Sequence, residues 1–174
     1  MSRRVFHIEL PVRSEWTAVE DLRGSVLACL RAVFEDDDRA EPLAMVAGEL
    51  LENAVKYGRW DLHPDEPFAL RVDGSDDDVE IAVTNPVDAP DPGVARLLEL
   101  LRRLRDAPSA REVYLERLRV VADDDGASGG LGLARIAYET GCTLEAEVLP
   151  AGVVRVRAVT PRAGAPAGAP ALHG

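Results

Sequence analysis

Residues Glu49–Gly58 read ELLENAVKYG. At about 100° per residue, Leu43, Val46, Ala47, Leu50, Leu51 and Ala54 fall on one helical face. Glu49, Glu52, Asn53 and Lys56 fall together on the other. The apolar face predicts a helix packed on a core, from about Pro42 to Tyr57, with the proline in its first turn. Asn53 is the residue to explain, because asparagine is a poor choice for a helix interior. Two readings are open for the stripe. A solvated face would make Glu52 and Lys56 an i,i+4 ion pair and leave Asn53 without a purpose. A metal and phosphate face would use the Asn53 carbonyl as a neutral oxygen ligand, Glu49 as a proton acceptor one turn away, and Lys56 as a phosphate partner.

Outward from this helix, the pattern alternates between periods of two and of 3.6 residues. VFHIELPV (Val5–Val12) reads as a strand. Ala18–Phe34 reads as a helix with Leu22, Val26, Leu30 and Val33 on one face, and EDDD then breaks the chain. Phe68–Gly74 and Val79–Asn85 read as a hairpin. Two amphipathic helices, Val94–Asp106 and Ala110–Ala122, follow a Pro/Asp/Gly loop. Leu131–Thr140 reads as a helix stopped by Gly141. Cys142–Leu149 and Val153–Thr160 close as a second hairpin around Pro150–Gly152. The order β, α, α, ββ, (αα), α, ββ predicts an α+β fold: a two-layer sandwich with a mixed or antiparallel sheet and helices on one face.

The 174 residues are 47% hydrophobic, enough for one domain with a core. The net charge of −11 argues against a nucleic-acid or anionic-membrane surface. No apolar run approaches the roughly 18 residues of a membrane span. Cys29 and Cys142 lie in no metal-ligand spacing, and reduced, packed thiols are expected, in keeping with the cytoplasm. The acidic runs Asp36–Asp38, Asp76–Asp78 and Asp123–Asp125 lack EF-hand spacing and read as solvated loops. Trp16, Trp60 and Tyr114 are expected in a core or an interface.

A second stretch carries chemistry. GASGGLGLARIAYE, from Gly126, runs four glycines into a helix start. Backbone amides there attract phosphate, and Gly129, Gly130 and Gly132 would allow its close approach. No Lys-Ser/Thr follows, so it is not a Walker loop, and Arg135 spoils a dinucleotide fingerprint.

Together the two stretches resemble the GHKL superfamily, the Bergerat-fold ATPases that include histidine kinases, gyrase and anti-sigma kinases. ELLENAVKYG looks like the N box and GGLGLARIA like the glycine box. The resemblance implies that Asn53 ligates Mg²⁺, that Glu49 is the general base, that Lys56 lies near the phosphates, and that Gly129, Gly130 and Gly132 cradle them. Family members usually place an Asp after the strand that follows the N box, to receive the adenine amino group. Asn85 stands there instead, and its carbonyl can still accept that bond. Asp91 is a second candidate.

The layout also resembles the small stand-alone GHKL proteins of the SiaB type, which act in partner switching. It implies a domain over residues 1–160, a lid over about 86–128, and a disordered tail over 161–174. The cofactors would be ATP and Mg²⁺. The partner would be a protein, either a STAS-domain antagonist or a sigma factor, and a homodimer is compatible with the layout. Two functions are open: phosphorylation of the partner on Ser or Thr, or nucleotide-gated sequestration without turnover. No histidine lies on a helix suited to autophosphorylation.

Overall fold

A computed structural model describes residues 4–12, 14–34, 37–62, 68–88, 91–123, 129–150 and 152–161. The elements run β1 (Arg4–Val12), α1 (Trp16–Phe34), α2 (Asp37–Tyr57), a short 3₁₀ turn at Trp60–Leu62, β2 (Phe68–Ser75) and β3 (Asp78–Pro86). They continue through α3 (Pro92–Asp106), α4 (Ala110–Asp123), α5 (Leu131–Thr140), β4 (Thr143–Leu149) and β5 (Val153–Pro161). The order of elements is the one expected from the sequence.

The strands form a single sheet in the order β1-β2-β3-β5-β4, with every pairing antiparallel. Alternation separates its two faces. Leu70, Val72, Ile81, Val83, Val156 and Ala158 point inward and are buried under the helices. The outward face is charged: opposite signs face each other between β1 and β2 and between β4 and β5, while Asp73 lies opposite Glu80 between β2 and β3. Arg71 Nε donates to Glu9 at 2.7 Å, His7 meets Asp73 at 2.9 Å, and Arg157 bonds Glu145 and, at 3.4 Å, Glu80. A one-residue slip of register would bury these charges, so the pattern fixes the register. No described helix is long and apolar enough to cross a membrane.

Helix α2 lies at the centre of the core, with ten buried residues that include Leu43, Val46, Leu50 and Leu51. It begins five residues before the expected start. Pro42 is its sixth residue, and Asp37 and Asp38 form its first turn rather than a solvated loop. The early start is physically reasonable. The proline removes only one hydrogen bond near the helix start, acidic residues suit the positive helix end, and Ala40 is fully buried. Arg31 of α1 anchors the turn by reaching Asp37 at 2.6 Å and Glu41 at 3.2 Å.

Other expectations are corrected at the ends of elements. Val33 stays 36% exposed, because the last turn of α1 is held by Phe34 packing edge-on against Phe6. Trp16 opens α1 at 57% exposure and is not a core residue. Trp60 does pack, donating to the Ala54 carbonyl at 3.2 Å and meeting Phe68 edge-on. Cys142 is buried as expected, whereas Cys29 lies on the solvent side of α1 and is exposed. Pro161 belongs to β5; the rest of the expected tail, 162–174, lies outside the described residues, as do Asp36, Asp124 and Asp125.

The two faces of the sheet should respond differently to truncation. Leu51→Ala, at a fully buried site, should lower the unfolding free energy by about 2–5 kcal/mol in urea titrations. Arg71→Ala on the outward face should cost less than about 1 kcal/mol. Similar losses from the two would contradict the one-sided core.

Candidate functional site

A cavity of about 1030 Å³ opens beside the polar edge of α2. Its floor is the inner face of the sheet, from Val83, Val154 and Val156. Asn53, Lys56 and Tyr57 of α2 line one wall, and Val94, Leu97, Leu100 and Arg103 of α3 face them. Arg117 of α4 and the backbone at Gly129 and Gly130 close one end. Asn85, at the end of β3, also lines it. Five of the seven residues singled out in the sequence (Asn53, Lys56, Asn85, Gly129 and Gly130) therefore border one space. Glu49 and Gly132 are not among its lining residues.

The polar stripe of α2 is not uniform. Glu52 and Lys56 are exposed, and the i,i+4 pair between them does not form. Lys56 Nζ lies instead 5.2 Å from the centre of the Tyr57 ring. Asn53 is half-buried, and its Nδ2 donates to the Glu49 carbonyl at 2.7 Å. That bond back to the preceding turn answers the propensity question. It satisfies the amide nitrogen within the helix and orients the side chain, leaving the Oδ1 as an acceptor.

Glu49 reaches across to α5. Arg135 Nη2 donates to Glu49 Oε1, while the Oε2 occupies the place of a side chain at Gly132. A Cβ built there would lie 1.8 Å from it. The Glu49 side chain is only 13% exposed. Burial pushes its carboxyl above the ordinary 4.5, opposed by the Arg135 charge and reinforced by Glu52 and Glu139. Burial wins because Arg135 is itself 41% exposed, and water weakens its attraction.

The start of α5 can take an anion. Gly130 holds the N-cap position at φ 83°, where a side chain would be strained, and no side chain among the described residues caps the helix. The orphan amides of the first turn therefore remain available for an anion. Helix α3 differs: Asp91 caps it, accepting from Gly93 N at 2.6 Å, so this second candidate for adenine is already engaged. Asn85 is 4% exposed, the one buried polar residue among those described. Its Nδ2 reaches the Pro86 carbonyl at 3.4 Å, longer than a good hydrogen bond, so the amide has capacity to spare.

Residues 12–138 match the histidine kinase-like ATPase domain. The chain belongs to that family. A chain in the crystal structure of the SiaB–SiaC complex from Pseudomonas aeruginosa has the same fold, at a TM-score of 0.63 and 18% identity. The match covers 92% of this chain and 91% of that one. No curated protein sequence matches significantly. Membership in an ATPase-domain family implies a nucleotide ligand. The cavity suits one: an apolar floor, a buried amide with spare capacity, and an uncapped helix start at one end. Among the described residues no group of three His, Cys, Asp or Glu side chains could hold a metal.

Three arginines at the site were not read from the sequence. Arg135 pairs with Glu49 across 86 positions, Arg117 donates to the Gly129 carbonyl, and Arg103 of α3 pairs with Glu116 of α4. The last two tie α3 and α4 to the glycine loop. The only advance signal was Arg135 interrupting the glycine pattern, and no local periodicity points to its partner.

A carboxyl whose pKa rises on folding favours the folded state while protonated. Its stabilising contribution is complete below about 4.5 and is lost as pH rises through the raised folded value. Glu49→Gln removes this loss. The melting temperature of the variant relative to wild type should therefore climb between pH 4 and pH 8, with the variant at or above wild type at pH 8. A difference that stays constant with pH would show that burial leaves Glu49 unperturbed.

Proposed function

We propose that the protein binds ATP with Mg²⁺ and phosphorylates a protein partner on Ser or Thr, as a cytoplasmic regulator of the partner-switching type. The observation that carries this reading is the convergence of Asn53, Lys56, Asn85, Gly129 and Gly130 on one cavity in a histidine kinase-like ATPase domain. The SiaB–SiaC likeness is to a fold crystallised within a two-protein complex, which supports a protein partner; in this reading it is a STAS-like protein or a sigma factor.

ATP, when bound, supplies the phosphoryl group. In this reading Asn85 accepts from the adenine amino group above Val83, Val154 and Val156. The free amides after Gly130 hold phosphate oxygens, and Lys56 adds a mobile positive charge. Mg²⁺ usually takes one or two protein oxygens beside those of the phosphates, and the Asn53 Oδ1 is the one offered here. Glu49 takes the proton of the partner's hydroxyl. Its raised pKa makes it a better base than an exposed glutamate.

One observation favours a second reading, nucleotide-gated sequestration without turnover. The Glu49 carboxylate lies on α5, bonded to Arg135, and does not line the cavity.

Calorimetry and single-turnover transfer with labelled ATP divide the two. Asn53→Ala should weaken ATP binding by about 1–3 kcal/mol in Mg²⁺ and hardly at all in EDTA. Equal weakening in both would make Asn53 structural. Glu49→Gln should bind ATP–Mg²⁺ like wild type and transfer roughly 10²–10⁴ times more slowly to a STAS-domain partner. Tight binding with no transfer from wild type would establish the sequestering module instead.

A further inference from the structure

We propose that Arg135 and Gly132 form a seat for the Glu49 carboxylate, with Arg135 acting as a positioning residue for the proton acceptor. The inference rests on the reading of Glu49 as that acceptor, and it assigns Gly132 to the carboxylate rather than to phosphate.

Both carboxylate oxygens are restrained from the same helix. The Arg135 guanidinium donates to Oε1, and Oε2 lies against the backbone of Gly132, one turn earlier on α5. Any side chain at 132 would evict it, since even a Cβ would approach to 1.8 Å. Glu52 of α2 and Glu139 of α5 add negative charge nearby, and Arg135 is the cation that opposes them. The Arg135 Nε is buried and bonds no described residue, so the side chain is not held there by a full set of hydrogen bonds. Its one ion pair among the described residues, with Glu49, is what holds it.

The seat is also coupled to the cavity. Gly130, which lines it, and Gly132, which receives the carboxylate, are two residues apart at the start of α5. A shift of that helix would displace the anion cradle and the seat of the Glu49 carboxylate together, because Gly130, Gly132 and Arg135 all belong to its start or first turns. A base held in this way spends less of its time in unproductive orientations, which affects the reaction step more than nucleotide binding.

The test uses the full chain and two readouts. The first is nitrogen-15 NMR of the Arg135 guanidinium without nucleotide. Slowed rotation in the ion pair should give separate Nη signals, assigned by their loss in Arg135→Lys. These signals should collapse in both Glu49→Gln and Gly132→Ala. Collapsed signals in wild type, or signals unaffected by Glu49→Gln, overturn the seat whatever the transfer rate. The second readout pairs calorimetry with single-turnover transfer. Arg135→Met should bind ATP–Mg²⁺ within about twofold of wild type. It should transfer roughly 10–100-fold more slowly, and Arg135→Lys should recover most of that loss. Full-rate transfer by Arg135→Met, or parallel loss of binding and transfer without rescue by lysine, overturns the positioning role. Wild type that transfers nothing while its Nη signals stay separate overturns the kinase reading and leaves the seat standing.

Discussion

The packing of α2 between the sheet and α5 is the contact on which the rest of the structure depends. Ten residues of α2 are buried, and the inner face of β3 and β5 covers several of them. A helix fixed so firmly along its apolar face has no freedom to rotate. Its polar stripe is therefore held in one orientation. Asn53 and Lys56 border the cavity, Glu49 faces α5, and Glu52 faces solvent. Without that core the four residues would form an ordinary amphipathic surface.

The charge distribution follows from a one-sided sheet. The outward face matches opposite charges across its two outer strand pairs, β1 with β2 and β4 with β5, which suits solvent and pins the register. Individually these exposed pairs are worth little. Inside, charge is scarce, and the exceptions are grouped around the cavity. Asn85 is buried with unused bonding capacity, and Glu49 is nearly buried with a single exposed cation beside it. Both arrangements are unfavourable for stability alone, and such groups are concentrated at sites that do chemistry. Glu49 shows both influences at once: burial raises its pKa, and the Arg135 charge opposes that rise.

Helices α3 and α4 form the wall of the cavity opposite α2. Helix α3 packs on β4 and borders the cavity, and α4 reaches the glycine loop through Arg117. Their contacts with the cavity are made largely by long side chains on a pair of helices joined by Arg103 and Glu116. Movement of that pair would alter one wall while leaving Asn53, Asn85 and the valine floor in place.

The sequence by itself determined the element order, the antiparallel hairpins, the buried face of α2 and five of the residues that border the cavity. Each of these follows from local periodicity or from short motifs, because the side-chain period of a strand or helix is set by its backbone. The start of α2 at Asp37 escaped that reading, since capping and a tertiary anchor from Arg31 outweighed the proline signal. So did the exposure of Val33 and Trp16, because periodicity says which way a side chain points but not where its covering partner ends. Only the tertiary structure paired Glu49 with Arg135 and gave Gly132 its role as the space for a carboxylate. That pairing joins residues 86 positions apart, and it forms only when two helices are brought together over the core. No pattern within either segment specifies the contact between them.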